Sequence, residues 1–209
     1  WTVEERDELL SGTNLHAAAV ERRASLQRLF DVFFPRLWEF DAEGFPKSVF
    51  NWGAFCWAHG AFSSRGFPDR IARPPSADAS SLQQATGCML PIVDLMNHNP
   101  SVYVRWERDE VGVRFVLGER VLEAGESVCI SYGPKSNDEL LLAFGFALEG
   151  NPFDSCALSI GWSGFEEQRR KLLDAFGLLR PRFYLSPSGD GVLPLLAATH
   201  IMYAAEPAL

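Results

Sequence analysis

Apolar and polar positions along the chain sort into helical stripes, period-2 runs and polar breaks. Thr2-Val-Glu-Glu5 has the form of a capping box and predicts a short helix through Leu10, stopped by Gly12. Leu26, Leu29, Phe30 and Phe33 form a stripe that predicts a longer helix over 16–34. Arg22, Arg23 and Arg28 lie mostly off that stripe, and Pro35 is expected to end the helix. After a loop at 43–46, residues 48–61 predict an aromatic-rich helix. Its Phe50, Trp52, Phe55 and Trp57, with Phe62 just beyond, are expected to pack as core. Arg65 stands just outside this apolar patch and, read alone, is a surface charge. Residues 69–87 are rich in Pro, Ser and Ala and poor in large apolar side chains, which predicts a long surface loop.

The rest of the pattern is organised around 125–146, GESVCISYGPKSNDELLLAFGF. Val128, Ile130 and Tyr132 alternate with Ser127, Cys129 and Ser131, the period of a half-buried strand. Gly133-Pro134 breaks it, and Ser136-Asn-Asp-Glu139 is expected to cap a helix carrying Leu140 and Phe144 on one face. Tyr132 is thereby left at the end of a buried strand, and taken alone it is a core tyrosine. Upstream, the apolar run 89–93 leads into DLMNHNP, whose crowded short polar side chains predict a compact turn ended by Pro100. Val102, Val104 and Trp106 predict one strand and Val111, Val113, Phe115 and Leu117 the next, joined as a hairpin near Asp109 and Glu110. Beyond Asn151-Pro152 the pattern predicts a strand at 156–160 and a helix capped by Ser163-Gly-Phe-Glu166, with Phe165, Leu172, Leu173 and Phe176 inside and Gly177 as its stop. A last helix is expected over 192–205, and no internal repeat is visible.

Composition narrows the function classes. The 209 residues are 47% apolar, enough to bury a core, and a net charge of −8 argues against a nucleic-acid binder. Cys56, Cys88, Cys129 and Cys156 are widely spaced, with no CxxC and no clustered His, so neither a zinc site nor a disulfide framework is expected. Reduced thiols of an intracellular protein fit better. His16, His59 and His200 have no companion at ligand spacing, and no phosphate loop or nucleophile elbow occurs. No apolar run has membrane-spanning length. The first residue is Trp1 rather than Met, which carries the expectation of preceding residues and leaves cytoplasm, nucleus and chloroplast undistinguished.

Three strings occur in order: D-x-x-NH at 94–98, GE-x-x-x-x-x-Y at 125–132 and SN-x-E-x-x-x-x-x-GF at 136–146. With the upstream WAHGAFSSRGFP, this combination resembles the SET-domain methyltransferases. Within them it is similar to the branch of the Rubisco large-subunit lysine methyltransferase and its actin-histidine relative. The resemblance spans roughly 1–153 and continues less distinctly to Leu209.

That resemblance implies an α+β fold, with residues 1–155 a partial SET domain. Residues 1–68 would be largely a helical insertion and 88–155 the cofactor-binding and catalytic core, with 156–209 starting an all-α substrate-binding domain. It implies S-adenosylmethionine as cofactor and methylation of a protein lysine. A histidine acceptor and a non-catalytic SET-like protein-binding module remain alternatives. The expected partner is a protein substrate, with no nucleic acid and no membrane, and the oligomeric state is open. Tyr132 would be the catalytic residue, orienting the amine. Asn97 and His98 would hold the cofactor, with Asp94, Leu95 and Met96 shaping its wall. Phe144, Gly145 and Phe146 would pack around it, glycine permitting close approach, and Arg65 would reach its carboxylate. His98 on its own reads equally as a turn histidine. The family's preceding sheet, with its Gly-x-Gly turn, has no match in 1–34, so the chain is expected to begin after it and to be part of a longer enzyme. The family's zinc segment is absent too, as expected in this branch. The chemistry demands a dry channel, because neutralising a lysine of pKa about 10.4 near pH 7 costs about 4–5 kcal/mol.

Overall fold

The computed structural model describes residues 2–68, 71, 87–109, 111–118 and 121–204. Apart from Ile71 and Gly87, the surface loop expected at 69–87 lies outside them. The chain divides into two compact units, Trp1–Pro134 with Glu139–Ala147, and Lys135–Asp138 with Leu148–Leu209.

The first unit opens with α1 (Val3–Leu10), where the Thr2 hydroxyl accepts from the Glu5 N–H and the Glu5 carboxylate from the Thr2 N–H. Helix α2 (Asn14–Phe40) is longer than the pattern implied and carries Pro35 inside it. An interior proline costs about 3 kcal/mol, yet rings pack across it. Phe34 stacks on Phe30 at 4.3 Å, and Trp38 meets Phe30 at 5.9 Å and Phe34 at 6.2 Å. At about 0.5–1.5 kcal/mol per pair beyond area burial, these contacts match the cost. Helix α3 (Trp52–Arg65) starts later than expected because the Asn51 side chain caps it, accepting from the Ala54 N–H at 3.0 Å. Its Trp52 and Phe55 join the same cluster, each under 6 Å from Phe30. Two of the rings expected as core are not: Trp57 is 75% exposed and Phe62 37%. Trp57 falls on the face of α3 opposite Phe55, whereas Phe62 shares the Phe55 face two turns further on, beyond α2's rings and near Gly87.

The strands of this unit are short. β2 (Val104–Arg108) and β3 (Val113–Leu117) form the expected antiparallel hairpin, pairing Val104 with Leu117 and Arg108 with Val113. β1 (Asn97–His98) pairs parallel with β4 (Cys129–Ile130), Asn97 opposite Cys129 and His98 opposite Ile130. The strand expected to run from Ser127 to Tyr132 is therefore only two residues long, because its partner is no longer. Val128 is exposed while Ile130 is 3% exposed. Ile130, Phe67 and Ile71 form the buried centre, with Met96, Val104, Val113, Phe115 and Tyr132 packed on it. Helix α4 (Asn137–Phe144) follows, with Leu140 fully buried.

In the second unit, Asn137 and Asn151 tie the start of α4 to the 148–155 loop. Asn137 Nδ2 donates to Leu148 O and to the Asp154 carboxylate, while Asn151 Nδ2 donates to Lys135 O. β5 (Cys156–Ser159) pairs antiparallel with β6 (Arg182–Leu185), a strand the pattern did not reveal. The capping box expected at Ser163 does not form. Helix α5 (Glu167–Ala175) begins after Glu166 with no side-chain cap, and Phe165 packs inward, meeting Tyr203 at 6.1 Å. Leu173 is fully buried, whereas Leu172 and Phe176 are exposed; α5 ends before Phe176, and Gly177 turns the chain at φ 65°. With α6 (Val192–Tyr203), these elements enclose Leu173, Leu178, Phe183, Ala198 and Met202. Arg169 caps α6 by donating to the carbonyls of Ile201, Met202 and Ala204. Among the described residues no helix is long and apolar enough to cross a membrane.

Candidate active site

The site grows from the turn before β1. Ile92, a β-branched residue at φ 77°, swings the chain into a 3₁₀ turn over Val93–Leu95, and the Asp94 N–H returns to Leu90 O at 2.9 Å. Parallel pairing then sets β1 beside β4, extended by Asn99 N–H to Ile130 O at 3.0 Å. Distant motifs are brought together by this short pair, which leaves His98 and Tyr132 side by side.

Tyr132 is held from several sides. Its backbone N–H donates to His98 Nδ1 at 3.0 Å, so that nitrogen carries a lone pair and the ring is the Nε2-protonated tautomer. The two rings stack at 5.0 Å and 20°. The hydroxyl donates to Met96 O at 2.8 Å and accepts from Arg65 Nη1 at 3.2 Å. Phe144 lies 4.8 Å from the Tyr132 ring, and Phe146 lies 6.4 Å from it and 6.2 Å from His98. Burial raises the phenol's pKa above its ordinary value, Arg65 opposes the rise, and Cys129 adds to it.

Arg65, in the last turn of α3, reaches back across this turn. Nη1 also donates to the carbonyls of Asp94 and Met96, at 3.0 and 3.1 Å, and Nη2 to Asn97 Oδ1 at 3.1 Å. A cavity of about 180 Å³ opens beside it, lined by Arg65, Met96, Trp106, Ile130, Tyr132 and Phe144 among others. That is below the roughly 300–1,000 Å³ of pockets for drug-sized ligands, so it takes a side chain or one end of a larger molecule.

The structure thus gathers Arg65, Met96, Asn97, His98, Tyr132, Phe144 and Phe146, and Asp94 through its carbonyl. Leu95 is 75% exposed and makes none of the ring contacts. Gly145 sits at φ 82°, donating to Leu140 O and Leu141 O, and a Cβ there would meet nothing within 4 Å. A left-handed helix end, rather than a close approach within the chain, is what needs glycine there. Sequence reasoning missed Ile130 and Trp106 as cavity wall. The available signal was strand phase, since Ile130 and Tyr132 share one alternation. Among the described residues no group of three or more His, Cys, Asp or Glu is placed to hold a metal.

No protein-family model matches the chain. Ribosomal lysine N-methyltransferase set10 of Schizosaccharomyces pombe is 33% identical over 118 residues, 55% of this chain and 20% of that protein. SET domain-containing protein 4 of Homo sapiens is 32% identical over 143 residues, 66% of this chain and 32% of that protein. The chain therefore spans a fifth to a third of the length of these relatives. The crystal structure of the SET domain of LSMT bound to lysine and AdoHcy matches with a TM-score of 0.63 at 21% identity, over 99% of this chain and 46% of that one. That likeness shows the α+β SET fold.

Proposed function

We propose, for a chain that belongs to the SET-domain family on its LSMT-like branch, that the protein transfers a methyl group from S-adenosylmethionine to a lysine side chain of a protein substrate. The observation that carries this reading is the Tyr132 hydroxyl, fixed by Met96 and Arg65 at the wall of a small cavity whose other surfaces are largely apolar.

The donor set suits the cofactor. S-adenosylmethionine when bound supplies an electrophilic methyl on a sulfonium, and a wall bearing a carbonyl and a phenol oxygen beside aromatic rings suits that positive charge. Asn97 and His98 would hold the amino-acid and adenine parts, partly through backbone groups. Asp94 and Met96 would shape the wall, and Phe144 and Phe146 would pack against it. Tyr132 would orient the acceptor nitrogen, so that little rotational freedom remains to be lost on the way to in-line attack. The acceptor must arrive uncharged. Burial disfavours an ammonium in the cavity and so favours the neutral amine. A histidine acceptor, with pKa about 6.5, needs no such help, and the names of the relatives favour lysine. We further infer that residues 1–155 hold the transfer site and that 156–209, where the β5–β6 hairpin accompanies the expected helices, begin a domain that docks the substrate protein.

Titration calorimetry with S-adenosylhomocysteine tests the cofactor part of this reading. Saturable binding to one site is expected, weakened by substitution of Asn97, and no binding heat would refute it.

A further inference from the structure

Arg65 reads as a surface charge in the sequence, and the family resemblance assigns it to the cofactor carboxylate. Its contacts in the structure lie within the chain. One guanidinium serves Asp94 O, Met96 O, Tyr132 Oη and Asn97 Oδ1, all between 3.0 and 3.2 Å. Those acceptors belong to the turn before β1, to the first residue of β1 and to Tyr132, two residues beyond β4. The planar fork therefore ties the site's two halves together, which a point-charged ammonium could not do.

The consequence falls on the phenol. Tyr132 commits its own proton to Met96 O at 2.8 Å, and Arg65 Nη1 occupies one acceptor direction of its oxygen at 3.2 Å. A hydroxyl has one proton and two acceptor lone pairs. What remains on the oxygen is a lone pair, on a residue that lines the cavity. Resting on the methyl-transfer reading above, we propose that Arg65 is a positioning residue: it fixes the Tyr132 hydroxyl so that the phenol oxygen offers the incoming amine an acceptor rather than a proton. The amine N–H then donates to Tyr132, and the nitrogen lone pair is turned along the line of attack. Without Arg65, Met96 O alone holds the hydroxyl, and the amine lone pair competes with that carbonyl for the phenol proton, which blocks attack. The direction in which Arg65 moves the phenol's pKa agrees with this contact.

The test separates positioning from a carboxylate clamp, using Arg65→Gln and Arg65→Lys. Wild type and variants are compared in the ring-¹³C tyrosine titration of Tyr132, in kcat and KM with a lysine-bearing protein, and in calorimetry with two ligands. These are S-adenosylhomocysteine and 5′-methylthioadenosine, which lacks the carboxylate. Positioning predicts that kcat falls about 10- to 100-fold, the size of one lost charge-assisted hydrogen bond. S-adenosylhomocysteine affinity should stay within about 3-fold, with its preference over methylthioadenosine intact. The Tyr132 phenol should titrate higher in Arg65→Gln, with Cys129 and His98 still facing it. Lysine should restore little of kcat. Collapse of the ligand preference with kcat following saturation would overturn the proposal in favour of the clamp. An unmoved phenol titration would overturn it outright, even if the protein proved to transfer no methyl group.

Discussion

Two of the first unit's aromatic clusters differ in what their rings are tied to. Between α2 and α3, Phe30, Phe34, Trp38, Trp52 and Phe55 stack and tilt against one another. Trp38 Nε1 donates to Phe50 O at 3.1 Å, closing the α2–α3 turn, and Lys47 and Arg23 lie over the Trp38 and Trp52 rings at 4.9 and 5.8 Å, but none of these contacts fixes a polar atom beside a cavity. Around Tyr132, by contrast, rings at similar spacing are pinned by polar bonds: to His98 Nδ1, to Met96 O and from Arg65. The first cluster derives its stability from area and ring geometry. The second holds one oxygen in one orientation beside a cavity. Ring density alone therefore does not mark a site; a polar atom held at the edge of the rings does.

The contrast is broken most directly by truncation. Phe30→Ala, at a position 9% exposed, should cost about 3–5 kcal/mol in chemical denaturation, while kcat per folded molecule stays unchanged. A proportional loss of kcat would mean that the α2–α3 cluster acts on the site. Tyr132→Phe keeps the ring and removes the oxygen. It should cut turnover about 10²- to 10³-fold with S-adenosylhomocysteine affinity retained; affinity lost together with turnover would make Tyr132 a structural residue like Phe30.

Asn97→Ala tests the polar frame more gently. Asn97 is exposed, so losing its bond from Arg65 Nη2 should cost only about 1 kcal/mol. Added S-adenosylhomocysteine should raise the melting temperature of the wild type more than that of the variant, by linkage. Equal shifts would remove Asn97 from the cofactor site. The smallest effect is alkaline. Because burial raises the folded-state pKa of Tyr132 above its ordinary value of 10.0, folding favours the neutral phenol. That stabilisation is complete below the unfolded value and is lost as pH rises through the folded one. Tyr132→Phe should therefore lose less stability than wild type above about pH 10, and parallel curves would show that the phenol titrates normally.

Legibility in the sequence followed the range of the interactions. The α1 capping box, the β2–β3 hairpin and the Leu140 face depend on near neighbours and were readable from spacing. Pro35 was misread because spacing does not show the ring contacts that offset its cost, and Trp57 because stripe membership does not say which side a neighbour covers. β6 is four residues between Pro181 and Pro187, too short for periodicity to register. The site was legible as three motifs. Their meeting was not, since the β1–β4 pair is two residues long and joins segments distant in the chain. The bond from Arg65 to Tyr132 was invisible for the same reason.

Methyl transfer itself is the most direct measurement. The protein is incubated with methyl-labelled S-adenosylmethionine and a mixture of candidate proteins, and the labelled product is hydrolysed and its amino acids separated. Label in N-ε-methylated lysine, lost with Tyr132→Phe and retained with Phe30→Leu, is the predicted result. Label in methylhistidine, or no label above the Tyr132→Phe background, would contradict it.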